Sequence, residues 1–144
     1  MNPDKLYKNL ILKYGINPYK YFYSKNNTHI GKGYNEFCGD QINLYVTKKK
    51  HTISNISFLG KSCAISTAST SLMIKTLEGK SLPEIKKTFF NFSNMFINNN
   101  FSSRFSENEL ILKNLINVKQ YPSRVKCVTL PWNILYNMII RKYI

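Results

Sequence analysis

A chain of 144 residues, 43% of them apolar, is long enough to build one hydrophobic core, and we expect a single domain over residues 1–144. Its net charge of +14 would suit nucleic-acid binding, but 18 of its 21 basic residues are dispersed lysines, whereas phosphate and base recognition favours clustered arginines. No apolar stretch reaches the ~20 residues of a membrane span, and the first residues carry Asp4 without a long apolar segment, so we expect neither a membrane span nor a secretory signal.

The N-terminal segment is expected to form a helix. Residues 2–4 supply a capping asparagine, a proline suited to the first turn and an acid at the positive end of the helix dipole. The apolar residues that share one helical face are Leu6, Leu10, Ile11 and Tyr14. Gly15 is expected to end this helix, and a tyrosine-rich connection follows over residues 17–27.

Strands are expected next, over residues 28–34, 41–47 and 52–59. The second is the clearest, because Ile42, Leu44 and Val46 alternate with polar or amphipathic residues. Three lysines at 48–50 form the turn into the third strand. Consecutive strands joined by short turns predict a small antiparallel sheet of about three strands.

Helices are expected to fill the second half of the chain. They cover residues 63–77, 81–97 and 107–118, and the region from about residue 126 onward, with a loop of asparagines at 98–100. Ser62 and Ser106 are the expected caps of two of them, and Pro131 is expected in the first turns of the last. Strands followed by helices indicate an α+β fold, with the helices packed on one side of the sheet.

The candidate site comprises three cysteines and one aspartate. An odd number of cysteines argues against a closed disulfide framework and favours metal binding or chemistry in a reducing compartment. Cys38 and Asp40 point the same way across Gly39, which permits a tight turn. Cys63 begins a predicted helix, where the dipole favours a thiolate, and Cys127 lies near the start of the last. Zinc accepts such a tetrahedral set, although without a CxxC pair three small buried hydrophobic residues are an equally open interpretation.

Three stretches of the sequence resemble the IscU/NifU N-terminal family, most closely its SufU type. They are CGDQINLYV at 38–46, FLGKSCAISTASTSLMIKTLEGK at 58–80 and YPSRVKCVTLPW at 121–132. The resemblance covers nearly the whole chain, up to Trp132, and keeps the order of the three cysteine motifs. It implies a compact α+β fold, a role in iron–sulfur cluster biogenesis, and a metal site built from the residues that match: Cys38, Asp40, Cys63 and Cys127.

The residue before the last cysteine separates two functions within this family. Scaffold members carry a histidine there, whereas this chain has Lys126, and neither His29 nor His51 takes its place. Residues 95–107 correspond to the longer insertion of the SufU type. Both departures favour a zinc-dependent sulfurtransferase, working as an enzyme with a cysteine desulfurase, that receives persulfide sulfur on Cys38. The alternatives are a scaffold holding a two-iron, two-sulfur cluster on the same ligands and, more remotely, a basic zinc module that binds nucleic acid.

The resemblance also implies cofactors, partners and supporting residues. Zinc is the expected cofactor, with an iron–sulfur cluster as the alternative, and the expected partners are a SufS-type cysteine desulfurase and downstream Suf scaffold components. We expect a monomer when free, no nucleic acid or membrane partner, and a bacterial cytoplasmic setting, with an organelle as a second possibility. Arg124 matches a family arginine that would pair with Asp40 when zinc is absent, unless it is a solvated surface charge. Gly39 and Lys126 are further supporting residues.

Two positions depart from the family pattern. Residues 36–37 are Glu-Phe where the family usually has a proline, and the loop at residues 17–20, Asn-Pro-Tyr-Lys, lacks the family's arginine. Neither change touches the expected metal ligands. Both are expected to alter the loop around Cys38 and the surface on which a partner docks.

Overall fold

The computed structural model describes residues 3–97 and 105–143. Its elements, in chain order, are α1 Pro3–Ile16, β1 His29–Asn35, β2 Asp40–Lys49, β3 Thr52–Lys61, α2 Ala64–Leu77, α3 Leu82–Ile97, a 3₁₀ helix Glu107–Gln120, α4 Pro122–Leu135, a π-helical segment Tyr136–Ile140 and α5 Arg141–Tyr143. The predicted α+β fold is confirmed. The expected asparagine loop and most of the 95–107 segment lie outside the described residues. Within those residues, no helix is both long and apolar enough to cross a membrane.

The sheet is antiparallel with strand order β1-β2-β3, as predicted. Ile42, Leu44 and Val46 of β2 are fully buried, so their alternation marks the face that packs on the core. β1 and β2 pair with Asn35 opposite Asp40, which leaves a four-residue turn at 36–39. This turn brings the segment that carries Cys38 to one end of the sheet.

The helix α4 and the π-helical segment approach β1 closely, because β1 has glycine at two positions that face them. A Cβ added at Gly33 would lie 2.4 Å from Ile134 Cγ1, and one at Gly31 would lie 2.5 Å from Met138 Sδ. These glycines therefore allow α4 to lie directly over the strand. The close approach sets α4, which carries Cys127, beside the end of the β1–β2 hairpin.

The helix α2 lies between α1 and α4 and is buried along nearly its whole length. A Cβ at Gly15 would lie 2.7 Å from the Ala64 carbonyl oxygen, so glycine permits the close contact of α1 with α2. Gly15 does not end α1 as expected, since the helix continues to Ile16. Along α1, Leu6 is 36% exposed and Tyr7, at 5%, takes the buried position that the sequence interpretation gave to Leu6.

The starts and types of three helices differ from the sequence predictions. Cys63, not Ser62, is the N-cap of α2. The segment after Ser106 is a 3₁₀ helix rather than an α-helix, closed at its start by a capping box with Glu109. The last helix begins at Pro122, so Pro131 lies in its interior rather than its first turns. Trp132 packs in the core, stacked on Phe92 with ring centroids 3.9 Å apart.

Candidate metal centre

The four predicted ligands come from four separate segments that meet at one end of the sheet. Cys38 lies on the turn between β1 and β2, and Asp40 is the first residue of β2. Cys63 precedes α2 as its N-cap, and Cys127 lies in the second turn of α4. The two hairpin residues are close in sequence, whereas the other two reach the site only through the packing of α2 and α4.

The distances divide the cluster into three donors held together and one at their edge. Cys38 Sγ and Cys127 Sγ are 3.0 Å apart. One donor atom from each of Cys38, Asp40 and Cys127 lies within 4.8 Å of the others. Cys63 falls outside this tighter group, but its Sγ is 3.9 Å from Asp40 Oδ2. The structure therefore brings all four predicted residues into one neighbourhood.

The carboxylate of Asp40 is fully buried and is satisfied by two donors. Its Oδ1 accepts a hydrogen bond from the backbone N–H of Cys63 at 2.8 Å, and its Oδ2 accepts one from Asn35 Nδ2 at 3.2 Å. Asn35 Nδ2 also lies 3.5 Å from Cys127 Sγ. A buried charge requires such partners. Sequence reasoning missed Asn35, although its place opposite Asp40 follows once the hairpin register is known.

Burial dominates the electrostatics of Cys63 and Cys127. It raises the pKa of the Cys63 thiol; the Ser66 N–H that caps onto its sulfur lowers this pKa, and the Asp40 charge raises it again, with a net increase. This direction is opposite to the one expected from the helix dipole alone. Burial, together with its contact to Cys38, also raises the pKa of Cys127 well above its usual 9.0. Burial thus disfavours the thiolate form of both side chains.

Two basic residues of α4 act on the turn that carries Cys38. Arg124 Nη1 donates to Cys38 Sγ at 3.2 Å, instead of pairing with Asp40 as expected. Lys126 Nζ lies 4.3 Å from the ring centroid of Phe37, which is 75% exposed. Gly39 has a φ of +67°, a left-handed conformation that suits glycine at the end of the turn. The side chain of Lys126 thus points to the turn and not to the thiols.

Tyr7 of α1 is a neighbour of the cluster that sequence reasoning did not single out. Its hydroxyl is buried without a hydrogen-bond partner in the described structure. Burial raises the pKa of Tyr7 to about 12, and the nearby Tyr121, Cys127 and Cys63 contribute in the same direction, while Arg124 acts against them. The one sequence pattern that could have identified Tyr7 is its seven-residue spacing from Tyr14, since both are buried on one face of α1.

The two histidines lie away from the cluster. His29 begins β1 and His51 lies at the turn between β2 and β3, so both are at the sheet end opposite Cys38. They line a cavity of about 220 Å³ together with Lys48. Their expected exclusion from the ligand set agrees with this placement.

The donor set fits zinc. Tetrahedral ligands at the usual bond lengths lie roughly 3.3–3.8 Å from one another. The Cys38 and Cys127 sulfurs, 3.0 Å apart, are closer than this range, and the Cys63 sulfur and the Asp40 oxygen, 3.9 Å apart, lie slightly beyond it, so these side chains would have to shift by less than about 1 Å to hold the ion. Sulfur and carboxylate donors are also ligands that zinc accepts, and the second hydrogen bond of Asp40 supplies the outer-shell support that metal sites use.

Comparisons with known proteins agree with the fold. The family described as NifU-like N terminal domain matches residues 6–127. The iron-sulfur cluster assembly scaffold protein IscU of Thermotoga maritima is 34% identical over 108 residues, which cover 75% of this chain and 74% of the relative. The zinc-dependent sulfurtransferase SufU of Bacillus subtilis strain 168 is 28% identical over 134 residues, covering 93% and 89%.

A crystal structure is similar over almost the full length of both chains. The SufU protein of Fervidobacterium islandicum AW-1, described as an iron-sulfur cluster assembly scaffold protein for the SUF system, superposes with a TM-score of 0.82 at 34% identity, covering 93% of this chain and 96% of that one. The family match at residues 6–127 includes the hairpin, α2 and all four residues of the cluster. The chain therefore belongs to the NifU-like N-terminal domain family, the family of the IscU and SufU proteins of iron–sulfur cluster assembly.

Proposed function

We propose that this protein is a zinc-dependent sulfur acceptor that receives persulfide sulfur from a SufS-type cysteine desulfurase onto Cys38. The observation that carries the proposal is the direction of Lys126. It occupies the position before Cys127 and lies over the Phe37 ring, so this position contributes no donor to the cluster. A four-ligand site of three cysteines and Asp40 is then what the chain offers, which suits zinc better than a cluster that relies on a flanking histidine.

Cys38, Asp40, Cys63 and Cys127 would hold the metal, and zinc when bound keeps coordinating thiols deprotonated. Cys38 is the ligand best placed to receive sulfur, because it lies half-buried on a turn rather than in a helix. The Arg124 guanidinium lies 3.2 Å from its sulfur, so a cation contacts the atom that would accept the transferred sulfur. A groove of about 370 Å³ beside the turn, lined in part by Phe37 and Lys126, gives space for the donor segment of a partner.

The transfer itself exchanges one sulfur–sulfur bond for another. The Cys38 sulfur attacks the outer sulfur of the partner's persulfide, a new bond forms between these two atoms, and the bond inside the partner's persulfide breaks. The electron pair of the broken bond stays on the partner's cysteine, which departs as a thiolate. Cys38 then carries the persulfide, and no net oxidation or reduction has taken place.

The relatives and the surface charge support the choice of partner and setting. A SufU relative named as a zinc-dependent sulfurtransferase aligns with 93% of this chain. A net charge of +14 would steer association with an acidic partner surface. We place the protein in a bacterial cytoplasm as a monomer that meets the desulfurase transiently and passes sulfur to downstream Suf scaffold components.

A second candidate is a scaffold that assembles a two-iron, two-sulfur cluster on the same residues. It is favoured by the 34% identity to a relative named as an IscU scaffold protein. Thiolates are the usual ligands of such clusters. Metal analysis of freshly purified protein separates the two functions: stoichiometric zinc without iron or visible absorbance supports the sulfur acceptor, whereas iron with a cluster spectrum supports the scaffold.

The acceptor assignment is tested with Cys38→Ala and the control Lys126→Met. The first variant should lose the stimulation of a cysteine desulfurase and the persulfide found by mass mapping, while its circular dichroism spectrum is unchanged. The second alters the same surface without removing a thiol, and should keep the persulfide. Full stimulation by Cys38→Ala would contradict the assignment of the acceptor.

Removal of the metal provides a further test that does not depend on the partner. Ligands from a turn, a strand and two helices would be joined by one ion, so binding contributes to folding as well as chemistry. Chelation should therefore lower the melting temperature without abolishing the cooperative transition, since the core remains. An unchanged melting temperature after verified loss of zinc would argue against a well-formed site.

A further inference from the structure

One pair of thiols in the cluster is set apart by its spacing. Cys38 Sγ and Cys127 Sγ are 3.0 Å apart, only about 1 Å more than a disulfide bond, whereas Cys63 lies outside the tighter group. We propose that Cys127 is the resolving thiol for a persulfide on Cys38: in the metal-free protein it closes a Cys38–Cys127 disulfide and releases the transferred sulfur as hydrogen sulfide. This inference rests on the proposed acceptor role of Cys38.

The step balances without a further reactant. The Cys127 sulfur attacks the inner sulfur of the Cys38 persulfide, a bond forms between the two cysteine sulfurs, and the bond to the outer sulfur breaks. The outer sulfur leaves with the electron pair and takes up the proton of Cys127. The two cysteines are thereby oxidised to a disulfide and the transferred sulfur is reduced to sulfide. A second turnover requires a thiol reductant that reopens the disulfide.

The surroundings of the two sulfurs favour this direction of attack. Cys127 is fully buried, so it occupies the core side of Cys38, where a thiol from solvent has no access. Asn35 Nδ2, 3.5 Å from the Cys127 sulfur, helps to hold that sulfur in place. The exposed Arg124 contacts Cys38 Sγ at 3.2 Å and also interacts with the Cys127 side chain, so a cation lies beside the two sulfurs when the outer sulfur leaves as an anion.

The experiment uses the full chain stripped of metal by a chelator. Inorganic polysulfide loads Cys38 with sulfur without a desulfurase, and excess donor is removed by gel filtration before sulfide release is followed in the absence of reductant. Peptide mapping under non-reducing conditions then identifies the disulfide. We expect about one sulfide per chain together with a Cys38–Cys127 bond. Polysulfide adds sulfur to Cys38 without a desulfurase, so the two proposals can fail separately. If a desulfurase delivered no sulfur to the protein, the acceptor function would be overturned, but the sulfide release and the disulfide measured in this experiment would not be affected.

Two matched variants separate the resolving thiol from its neighbour. Cys127→Ser should keep the persulfide on Cys38 and release at least ten-fold less sulfide, whereas the non-reducing map of Cys63→Ser should still contain the Cys38–Cys127 bond. A stable persulfide in the unmodified chain, or a bond from Cys38 to Cys63, would overturn the proposal. Should Cys127→Ser fail to fold, the map of the unmodified chain decides between these outcomes.

Discussion

Ser66 compensates for a hydrogen bond that Pro131 removes from α4, and its loss should be measurable as a loss of stability. Proline has no N–H, so the carbonyl of Cys127, four residues earlier, has no helical donor. The hydroxyl of Ser66 in α2 donates to that carbonyl oxygen at 2.9 Å instead. Both residues are fully buried, so solvent cannot replace this bond.

The variant Ser66→Ala leaves the Cys127 carbonyl without a donor. An unsatisfied buried polar group costs about 1–3 kcal/mol. For a domain of this size, that loss corresponds to a decrease of roughly 3–10 °C in the melting temperature. Urea denaturation should show a lower midpoint with an unchanged slope, because the amount of surface exposed on unfolding stays the same.

Repeating Ser66→Ala in a chain with alanine at position 131 tests whether the missing proline N–H is the cause of the lost stability. Pro131→Ala restores an N–H to the helix, so in this background Ser66→Ala should cost at least ~1 kcal/mol less. Ser69→Ala is the matched control: its hydroxyl donates to the Val128 carbonyl at 2.6 Å and accepts from Trp132 Nε1 at 3.1 Å. The helical donor of that carbonyl is the N–H of Trp132 and not of residue 131, so the cost of Ser69→Ala should be equal in both backgrounds. Equal costs of Ser66→Ala with proline and with alanine at 131 would refute the reasoning.

Three further predictions concern other parts of the chain. Although burial opposes the effect, hydrogen bonds from two hydroxyl side chains lower the pKa of Glu109 below its usual 4.5. The charged carboxylate therefore stabilises the fold above pH 4.5, and this stabilisation is lost as the pH falls through the lowered pKa of Glu109 in the folded protein. The free energy of unfolding, measured with urea, should fall more steeply below pH 4.5 in the unmodified chain than in Glu109→Gln. Parallel curves for the two proteins would contradict this prediction. Gly33→Ala should lower the free energy of unfolding by about 1–3 kcal/mol, because the added methyl group overlaps Ile134. In the double variant with Ile134→Ala this cost should be smaller. An increase in stability on Gly33→Ala, which strand propensity alone would give, would contradict the prediction. Tyr7→Phe removes a buried hydroxyl without a partner and should raise the free energy of unfolding by ~1 kcal/mol; a decrease of that size in the same titration would show that the hydroxyl is satisfied.

The hairpin was predictable from sequence because its pattern is local. The alternation of Ile42, Leu44 and Val46 has the period of a half-buried strand, and it fixes which face enters the core. The order of strands and helices then leaves few ways to cover that face, so the α+β architecture followed. The turn at Gly39 was also predictable, since only its position between Cys38 and β2 was needed.

The helix boundaries failed for identifiable reasons. Cysteine is an uncommon cap, so Ser62 was chosen over Cys63, although the Cys63 sulfur accepts the capping bond. The last helix was expected only from about residue 126, yet proline suits the first turn of a helix, and α4 begins at Pro122. The 3₁₀ helix had a visible pattern: its buried residues Glu109, Leu112, Leu115 and Val118 recur every three positions, the period of that helix.

The cluster was predictable in its members but not in its internal contacts. The resemblance pointed to Cys38, Asp40, Cys63 and Cys127, and the fold brings all four together. Which of the four side chains Arg124 contacts depends on the path of α4 across β1, and no local sequence pattern specifies that path. The contact of Lys126 with the Phe37 ring likewise arises only when helix and turn are packed.

Cys63 joins the cluster to the first turn of α2 through two atoms. Its backbone N–H donates to Asp40, and its sulfur accepts the N–H of Ser66. A change in the charge or coordination of either side chain therefore alters the protection of amides at the start of the most buried helix. The hydrogen-exchange rates of the Cys63 and Ser66 amides should consequently show whether the cluster holds a metal ion or a persulfide. This measurement does not require the bound metal or the sulfur to absorb visible light.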